Sequence, residues 1–149
     1  MPVTYKNRLT IEPKFLNTGL SKDDASATAN GVVIDTHSVE MLANGPYAEG
    51  LLLAQVEGFT GAPTAASVKF RLEHSDDGAT FTPVTASENV GAETLDFEST
   101  SPAVKTLAFR PQGLKRYLRV AVSALTLTGG TTPRAKLRAF LILDAPRFV

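Results

Sequence analysis

Alternation of apolar and polar residues over short stretches constrains the fold of this chain more than any other feature. Val68, Phe70 and Leu72 alternate with charged neighbours, and the same spacing recurs over residues 118–122 and 137–143. Successive side chains of a strand point to opposite faces, so a period of two predicts strands with one buried face and one wet face. The sequence therefore predicts an all-β fold, an antiparallel β-sandwich or jelly roll.

We predict about eight strands, separated by residues that favour turns. Glycine and proline mark the breaks, for example at residues 44–46, 61–63 and 129–130. Many short strands with such breaks are typical of sandwiches and jelly rolls. A single helical turn is expected over residues 38–43. The predicted strands lie near residues 32–36, 48–57, 67–75, 80–84, 93–98, 104–110, 115–124 and 135–144.

Residues 1–30 differ from the rest because their apolar residues are sparse and follow no period. We predict an extended N-terminal arm over residues 1–30 and a β-sandwich domain over residues 31–149. Ordering such an arm costs roughly 1–2 kcal/mol per residue of backbone entropy, which burial of a few side chains does not offset. We therefore expect the arm to lie across a neighbouring subunit, with Ile11 and Phe15 as its principal anchors. The full set of expected anchors is Tyr5, Leu9, Ile11, Phe15 and Leu16.

The composition excludes several classes of protein and partner. The chain has 149 residues, which is the size of one domain, and no cysteine, so disulfides and thiolate metal sites are excluded. Its formal net charge is zero, which argues against nucleic acid as the main partner. No apolar run approaches the roughly 18 residues of a membrane helix. The first residues show no apolar signal segment, so we expect synthesis in the cytoplasm without secretion.

Charge is distributed unevenly along the chain. Residues 1–104 hold 6 Lys and Arg against 14 Asp and Glu, whereas residues 105–149 hold 9 against 1. Either the two parts interleave in one sandwich and neutralise each other, or an acidic patch on one subunit docks on a basic patch of the next. The strongest basic cluster places Lys115, Tyr117 and Arg119 on one strand face, which is either solvated or an intersubunit salt-bridge surface.

The sequence carries almost no catalytic equipment, and we predict no enzyme, no catalytic residue and no cofactor. Only His37 and His74 are present. A triad of Asp35, His37 and Ser38 is disfavoured because neighbours on a strand point to opposite faces. A metal site formed by His74, Asp76 and Asp77 is the alternative to a hairpin turn. We favour the turn, in which Asp76 and Asp77 cap backbone donors and Gly78 takes positive φ.

The same hairpin also suggests a different class of function. Residues 75–81, Ser-Asp-Asp-Gly-Ala-Thr-Phe, resemble the hairpins of carbohydrate-binding sandwiches and, with one residue fewer, the Asp-box of sialidases. In both families the motif is chiefly a structural turn. Sugar-binding platforms usually need exposed aromatic residues, and this chain has no Trp and three Tyr. A carbohydrate-binding or adhesin-like module is therefore the alternative function.

The order of features resembles small β-sandwich virion proteins of tailed bacteriophages, near the head decoration or cement proteins. The resemblance spans residues 31–147 and depends on the run 70–78 (FRLEHSDDG), on the strand 113–120 (GLKRYLRV) and on the closing residues 144–147. It implies a structural protein on the capsid surface, with the major capsid protein as its partner. A tail or connector location is the alternative within the virion.

We also expect self-association into a dimer or trimer. The run 140–143, Phe-Leu-Ile-Leu, is apolar on both strand faces, unlike the strands before it. Either this last strand is central in its sheet or one of its faces meets a neighbouring subunit. Symmetric oligomers cover strand edges of small sandwiches at low cost.

Overall fold

The computed structural model describes residues 9–37, 49–88 and 91–148, with residues 9–14 and 144–148 as backbone only. These residues form ten strands, two 3₁₀ turns (Ala86–Glu88 and Pro111–Gly113) and no α-helix. The prediction of an all-β fold is confirmed. The strands are β1 (Leu9–Ala25), β2 (Ala29–Asn30), β3 (Ile34–Asp35), β4 (Glu49–Thr60), β5 (Ala65–Ser75), β6 (Thr82–Pro83), β7 (Leu95–Phe97), β8 (Ala103–Phe109), β9 (Tyr117–Thr128) and β10 (Arg134–Phe148).

The strands form two antiparallel sheets. The four-stranded sheet has the order β1-β10-β4-β8. The six-stranded sheet follows β2-β9-β5-β6, with β3 also paired to β9 and β7 also paired to β5. The first and last strands of the chain are therefore neighbours, and β10 is central, with partners on both edges.

Each of the eight predicted strands coincides with an observed strand, from β3 to β10. The structure adds β1 and β2, both within residues 1–30. The strand predicted near residues 115–124 begins two residues later, because residues 114–116 lie in the link that follows the second 3₁₀ turn. The helical turn expected over residues 38–43 lies outside the described residues.

The core lies between the two sheets and contains the inward half of each alternating strand. In β5, Val68, Phe70 and Leu72 are buried while the residues between them are half-exposed. The ring of Phe70 meets that of Phe97 edge to face, with centroids 5.7 Å apart. Burial of each large apolar side chain contributes about 1.5–3 kcal/mol. The alternation in the sequence thus reflects the packing of one face of each strand against this single core.

Residues 9–25 are extended, as expected for the N-terminal segment, but their partner is β10 of the same chain. The pairing runs from Leu9 opposite Phe148 to Ala25 opposite Ala135, with irregularities after Asn17 and Lys22. In the structure, β1 is an edge strand of its own sandwich. Backbone hydrogen bonds to β10 supply the stabilisation that side-chain burial alone would not provide. Thr18, Leu20 and Ala25 of β1 are buried in the core.

Gly31 begins the link between β2 and β3, next to the domain boundary expected at residue 30. Its N–H donates to the carbonyl of Val120 in β9 at 2.7 Å, and the N–H of Val32 donates to the carbonyl of Thr18 in β1 at 2.8 Å. A Cβ atom on Gly31 would overlap both carbonyls. The expected boundary therefore falls at a link that is hydrogen-bonded to both sheets.

Candidate functional site

The outer face of the four-stranded sheet is apolar, whereas a solvent-facing sheet surface is ordinarily polar. Phe15 is 68 % exposed, Phe140 42 % and Val104 55 %. Residues directly opposite each other on paired strands share a face, so the register defines the rows of this surface. One row runs Phe15, Ile142, Leu51, Ala108, and the next runs Asn17, Phe140, Leu53, Thr106. We call the set Phe15, Leu51, Leu53, Val104, Phe140 and Ile142 the outer apolar face.

One charge that borders the outer apolar face, that of Arg138, is neutralised within the chain. Arg138 lies two residues before Phe140 on β10 and is opposite Gln55 of β4. Its Nη2 lies 2.6 Å from Oδ1 of Asp23, and its Nε lies 3.6 Å from Oε1 of Glu57. The hydrogen bond from Arg138 lowers the pKa of the Asp23 carboxyl below its usual range. At this end of the face, compensated charge therefore lies beside an apolar centre, whereas at the other end Glu49 lies opposite Asp144.

The outer face of the six-stranded sheet has the opposite character. Glu73 is only 2 % exposed and accepts hydrogen bonds from Nε of Arg71 at 2.7 Å and from Nε of Arg119 at 2.6 Å. The guanidinium of Arg119 also lies over the ring of Phe81, 4.2 Å from its centroid. Such a buried carboxylate is tolerated because two guanidinium groups satisfy its oxygens. The polar groups at this end of the face are thus used inside the molecule.

The predicted basic strand face is divided in the structure. Lys115 precedes β9, and its Nζ lies 3.4 Å from Oδ2 of Asp76. Tyr117 begins the strand and is half-buried. Arg119 belongs to the cluster around Glu73. The two charged residues of this set therefore each have an acidic partner in the same chain.

Arg116, which lies next to this set in the sequence, forms a bidentate ion pair with Asp35. Its Nε and Nη2 donate to the two carboxylate oxygens of Asp35, both at 2.9 Å, which lowers the pKa of Asp35. Asp35 also accepts the backbone N–H of His37 at 2.9 Å. Asp35 is thus occupied by a guanidinium and a backbone donor, and Ser38 of the disfavoured triad lies outside the described residues.

Among the described residues, most of the ion pairs join the acidic first part of the chain to the basic last part. Arg116 pairs with Asp35, Arg119 with Glu73, Arg138 with Asp23 and Glu57, and Lys115 with Asp76. Of the two interpretations of the charge distribution, these pairs favour interleaving within one sandwich.

The turn after β5 holds Asp76, Asp77 and Gly78. Oδ1 of Asp77 accepts the backbone N–H groups of Ala79 and Thr80, both at 2.9 Å, and the hydroxyl of Ser75 at 2.8 Å. These donors lower the pKa of Asp77 to about 2. Gly78 has a φ of 73°, in the left-handed region that glycine adopts at least cost.

His74 is buried beside this turn and connects two further segments. Its Nδ1 accepts the backbone N–H of Lys115 at 3.3 Å, and its Nε2 lies 3.1 Å from Oε2 of Glu88. Both ring nitrogens therefore have partners inside the protein. In the part of the chain that the structure describes, no group of three or more His, Asp or Glu is arranged to hold a metal ion. The same residues include no helix with the length and apolarity to cross a membrane.

The expected arm anchors separate into different environments. Phe15 lies on the outer apolar face, and Leu16, the next residue, packs against the core. Leu9 and Ile11 are in the backbone-only part of β1, and Tyr5 lies outside the described residues.

Sequence reasoning missed Leu51, Leu53 and Val104 as surface residues. The signal for the first two was present, because residues 51–53 are apolar at successive positions, as are residues 140–143. In the four-stranded sheet the two runs are neighbours, since Leu53 lies opposite Phe140.

Comparison with solved structures finds viral proteins at low similarity. A turnip yellow mosaic virus structure is 13 % identical, with a TM-score of 0.35, and the match covers 96 % of this chain and 84 % of the other. The coat protein of tobacco streak virus, solved as a dimer, is 10 % identical with a TM-score of 0.40 over 93 % and 86 % of the two chains. The structure of Desmodium yellow mottle tymovirus is 15 % identical with a TM-score of 0.34 over 100 % and 94 %. Scores this low support no inference about function.

Comparison by sequence identifies a family, although no curated protein matches the chain. The model of one family, described as Bbp16, matches residues 20–137, which is well over half of the 149 residues. The matched span begins inside β1 and ends inside β10, so it covers both sheets. The chain therefore belongs to the Bbp16 family.

Proposed function

We propose that this protein is a non-enzymatic structural component of the virion of a tailed bacteriophage. Its specific role in this proposal is that of a decoration, or cement, protein on the capsid surface. It would stabilise the head by bridging adjacent subunits of the major capsid protein after synthesis in the host cytoplasm.

The observation that carries the proposal is the outer apolar face of the four-stranded sheet. Phe15 and Val104 are each more than half exposed, and Phe140 lies between them on β10. Contiguous exposed apolar surface on a small protein marks a contact with another macromolecule. The polar clusters around Glu73, Asp35 and Asp77, by contrast, are engaged in internal ion pairs and a turn. We therefore infer that this chain acts through surface contact with another macromolecule and not through chemistry on a small molecule.

The virion is the setting that fits the resemblance of residues 70–78 and 113–120 to phage decoration proteins. A thin shell gains stability from any protein that binds only its assembled form, because each bound copy shifts the equilibrium away from opening. A rigid β-sandwich suits such a role, since it loses little conformational freedom on binding.

The proposal is tested on purified particles of the parent virus, with and without this protein. We expect about as many copies of this protein as of the capsid subunit, and we expect depleted particles to open at a lower temperature. Adding back the purified protein should restore the opening temperature. A copy number far below that of the capsid subunit, with unchanged opening, would contradict decoration and favour a tail or connector location.

A further inference from the structure

We propose that Arg71 and Arg119 form a docking site for a carboxylate group, supplied by an Asp or Glu side chain of the capsid subunit. The site lies on the outer face of the six-stranded sheet, on the other side of the core from the outer apolar face. The capsid subunit as the source of the carboxylate rests on the proposed function, whereas the site itself rests on the geometry around Glu73.

The arginine pair carries more positive charge than its surroundings compensate. Among the described residues, the ion pairs of both guanidinium groups lead to one carboxylate. Nη2 of Arg71 lies 2.6 Å from Oε2 of Glu73, and Nε of Arg119 lies 2.6 Å from Oε1. The next cation along β5 on this face, Lys69, lies directly opposite Asp96 of β7. The excess of one positive charge is therefore local to the arginine pair.

The two guanidinium groups keep donors for a second carboxylate. Each has five N–H groups. In the part of the chain that the structure describes, Arg71 uses Nε and Nη2 towards Glu73, and Arg119 uses Nε. The arginine side chains are 35 % and 21 % exposed, whereas that of Glu73 is 3 % exposed. An incoming acidic group therefore meets the arginines and is kept apart from the buried carboxylate that would repel it.

Both arginines are held in place before a ligand arrives. Each oxygen of Glu73 anchors one of them, and the guanidinium of Arg119 also lies over the ring of Phe81. An ordered arginine loses little side-chain entropy on binding, and its planar fork matches the two oxygens of a carboxylate. Arg119 joins β9 to Glu73 directly opposite on β5, but Arg71 adds no link between strands because it belongs to β5 itself. Arg71 is thus the member of the pair that binding explains better than folding.

A site on this sheet also supplies what bridging requires. The outer apolar face belongs to the four-stranded sheet, so the arginine pair gives the same copy a second contact surface. One copy can then touch two capsid subunits, one through apolar contact and one through an ion pair. A protein carboxylate fits this site better than a nucleic-acid phosphate does, because the chain as a whole has a net charge of zero.

The first experiment titrates the isotope-labelled full-length protein with a tetraglutamate peptide and follows the arginine Nε–H signals by NMR. We expect the signals of Arg71 and Arg119 to shift. Arg71→Gln should weaken binding at least roughly tenfold, as for the loss of a hydrogen bond to a charged group. The matched control is Lys136→Gln, which removes one exposed positive charge from the four-stranded sheet and should change the affinity less than roughly twofold.

Three results of the titration overturn the inference. They are the absence of any shift in the two arginine signals, equal weakening by Arg71→Gln and Lys136→Gln, and a stronger shift by an oligothymidine than by the peptide at equal concentration. Arg71→Lys is the second variant, in case Arg71→Gln fails to fold. It keeps a positive charge beside Glu73 but has no planar pair of donors, so it should still weaken binding of the peptide.

Binding to depleted particles of the parent virus separates this inference from the proposed function. If Arg71→Gln binds particles at least roughly tenfold more weakly than Lys136→Gln does, the result supports the capsid subunit as the source of the carboxylate. If Arg71→Gln binds as tightly as the unchanged protein, that source is overturned while decoration stands. If the unchanged protein does not bind particles at all, decoration fails, and the peptide titration alone decides the arginine site.

Discussion

At the residue scale, the turn after β5 shows how one carboxylate organises a loop. Asp77 accepts two backbone N–H groups and the Ser75 hydroxyl, so its charged form is preferred in the folded protein. The residue is exposed, and its bonds are local. The acidic turn is therefore explained by its own geometry, without a bound ion.

The pKa of Asp77 leads to a pH-dependent prediction. Its folded-state pKa is lowered to about 2 from an ordinary value of 3.8, so the stabilisation is complete above about pH 4 and is lost as the pH falls towards 2. We expect Asp77→Ala to lower the melting temperature at pH 7, and the difference from the unchanged protein to shrink between about pH 4 and 2. Thermal unfolding followed by circular dichroism measures both. Asp76→Ala is the control, because Asp76 is 80 % exposed and should show little effect. Equal pH dependence for the two variants would contradict the assignment.

At the element scale, β1 and β10 illustrate the difference between an edge strand and a central one. β10 bonds β1 on one side and β4 on the other, whereas β1 bonds one strand of the sheet along its length. Edge strands are the part of a sheet most easily lost, and the newly exposed edge then invites aggregation. β1 also contributes Thr18 and Leu20 to the core, which ties it to the sandwich.

Deletion of residues 2–20 tests this description of β1. It removes Leu20, whose loss alone is worth about 2–5 kcal/mol by comparison with buried leucines elsewhere, and most of the pairing with β10. We expect a lower midpoint of urea unfolding and a stronger tendency to aggregate. The control is deletion of residues 2–8, which leaves β1 whole. A deletion of residues 2–20 that keeps full stability and loses only partner binding would restore the view of this segment as a separate arm.

At the scale of the whole molecule, the two ends of the chain meet in one sheet. Leu9 lies opposite Phe148, and the ion pairs join the acidic first part of the chain to the basic last part. The sandwich therefore closes only when distant segments have found each other. Loop closure of that length costs conformational entropy before the contacts form.

This topology predicts slow folding. We expect the main refolding phase to take on the order of milliseconds to seconds, as for other β-sandwiches dominated by non-local pairing. Stopped-flow circular dichroism after dilution from urea measures it. The chain has 9 prolines, so a slower phase of roughly 10–100 s is expected in addition, and a prolyl isomerase should accelerate that phase alone. Complete refolding within microseconds would contradict the expectation.

Features that depend on neighbours along the chain could be predicted from the amino-acid order alone. Alternation at Val68, Phe70 and Leu72 indicated a strand with one buried face, and the pair Asp77-Gly78 indicated a turn, because side-chain direction and backbone conformation are local properties. Eight strands and the fold class followed from such patterns. The run of residues 140–143 also indicated that one strand is central or meets a neighbour.

The pairing of the strands, and the surfaces that result from it, became known from the three-dimensional fold. Residues 9–25 carry no clean period, so their place beside β10 depended on a partner more than a hundred residues away. The outer apolar face exists because Phe140 of β10 and Leu53 of β4 are in register, and the charge of Arg138 beside it is compensated because Arg138 reaches Asp23. These are contacts between distant segments, set by the packing of two sheets on one core, and no local period encodes them.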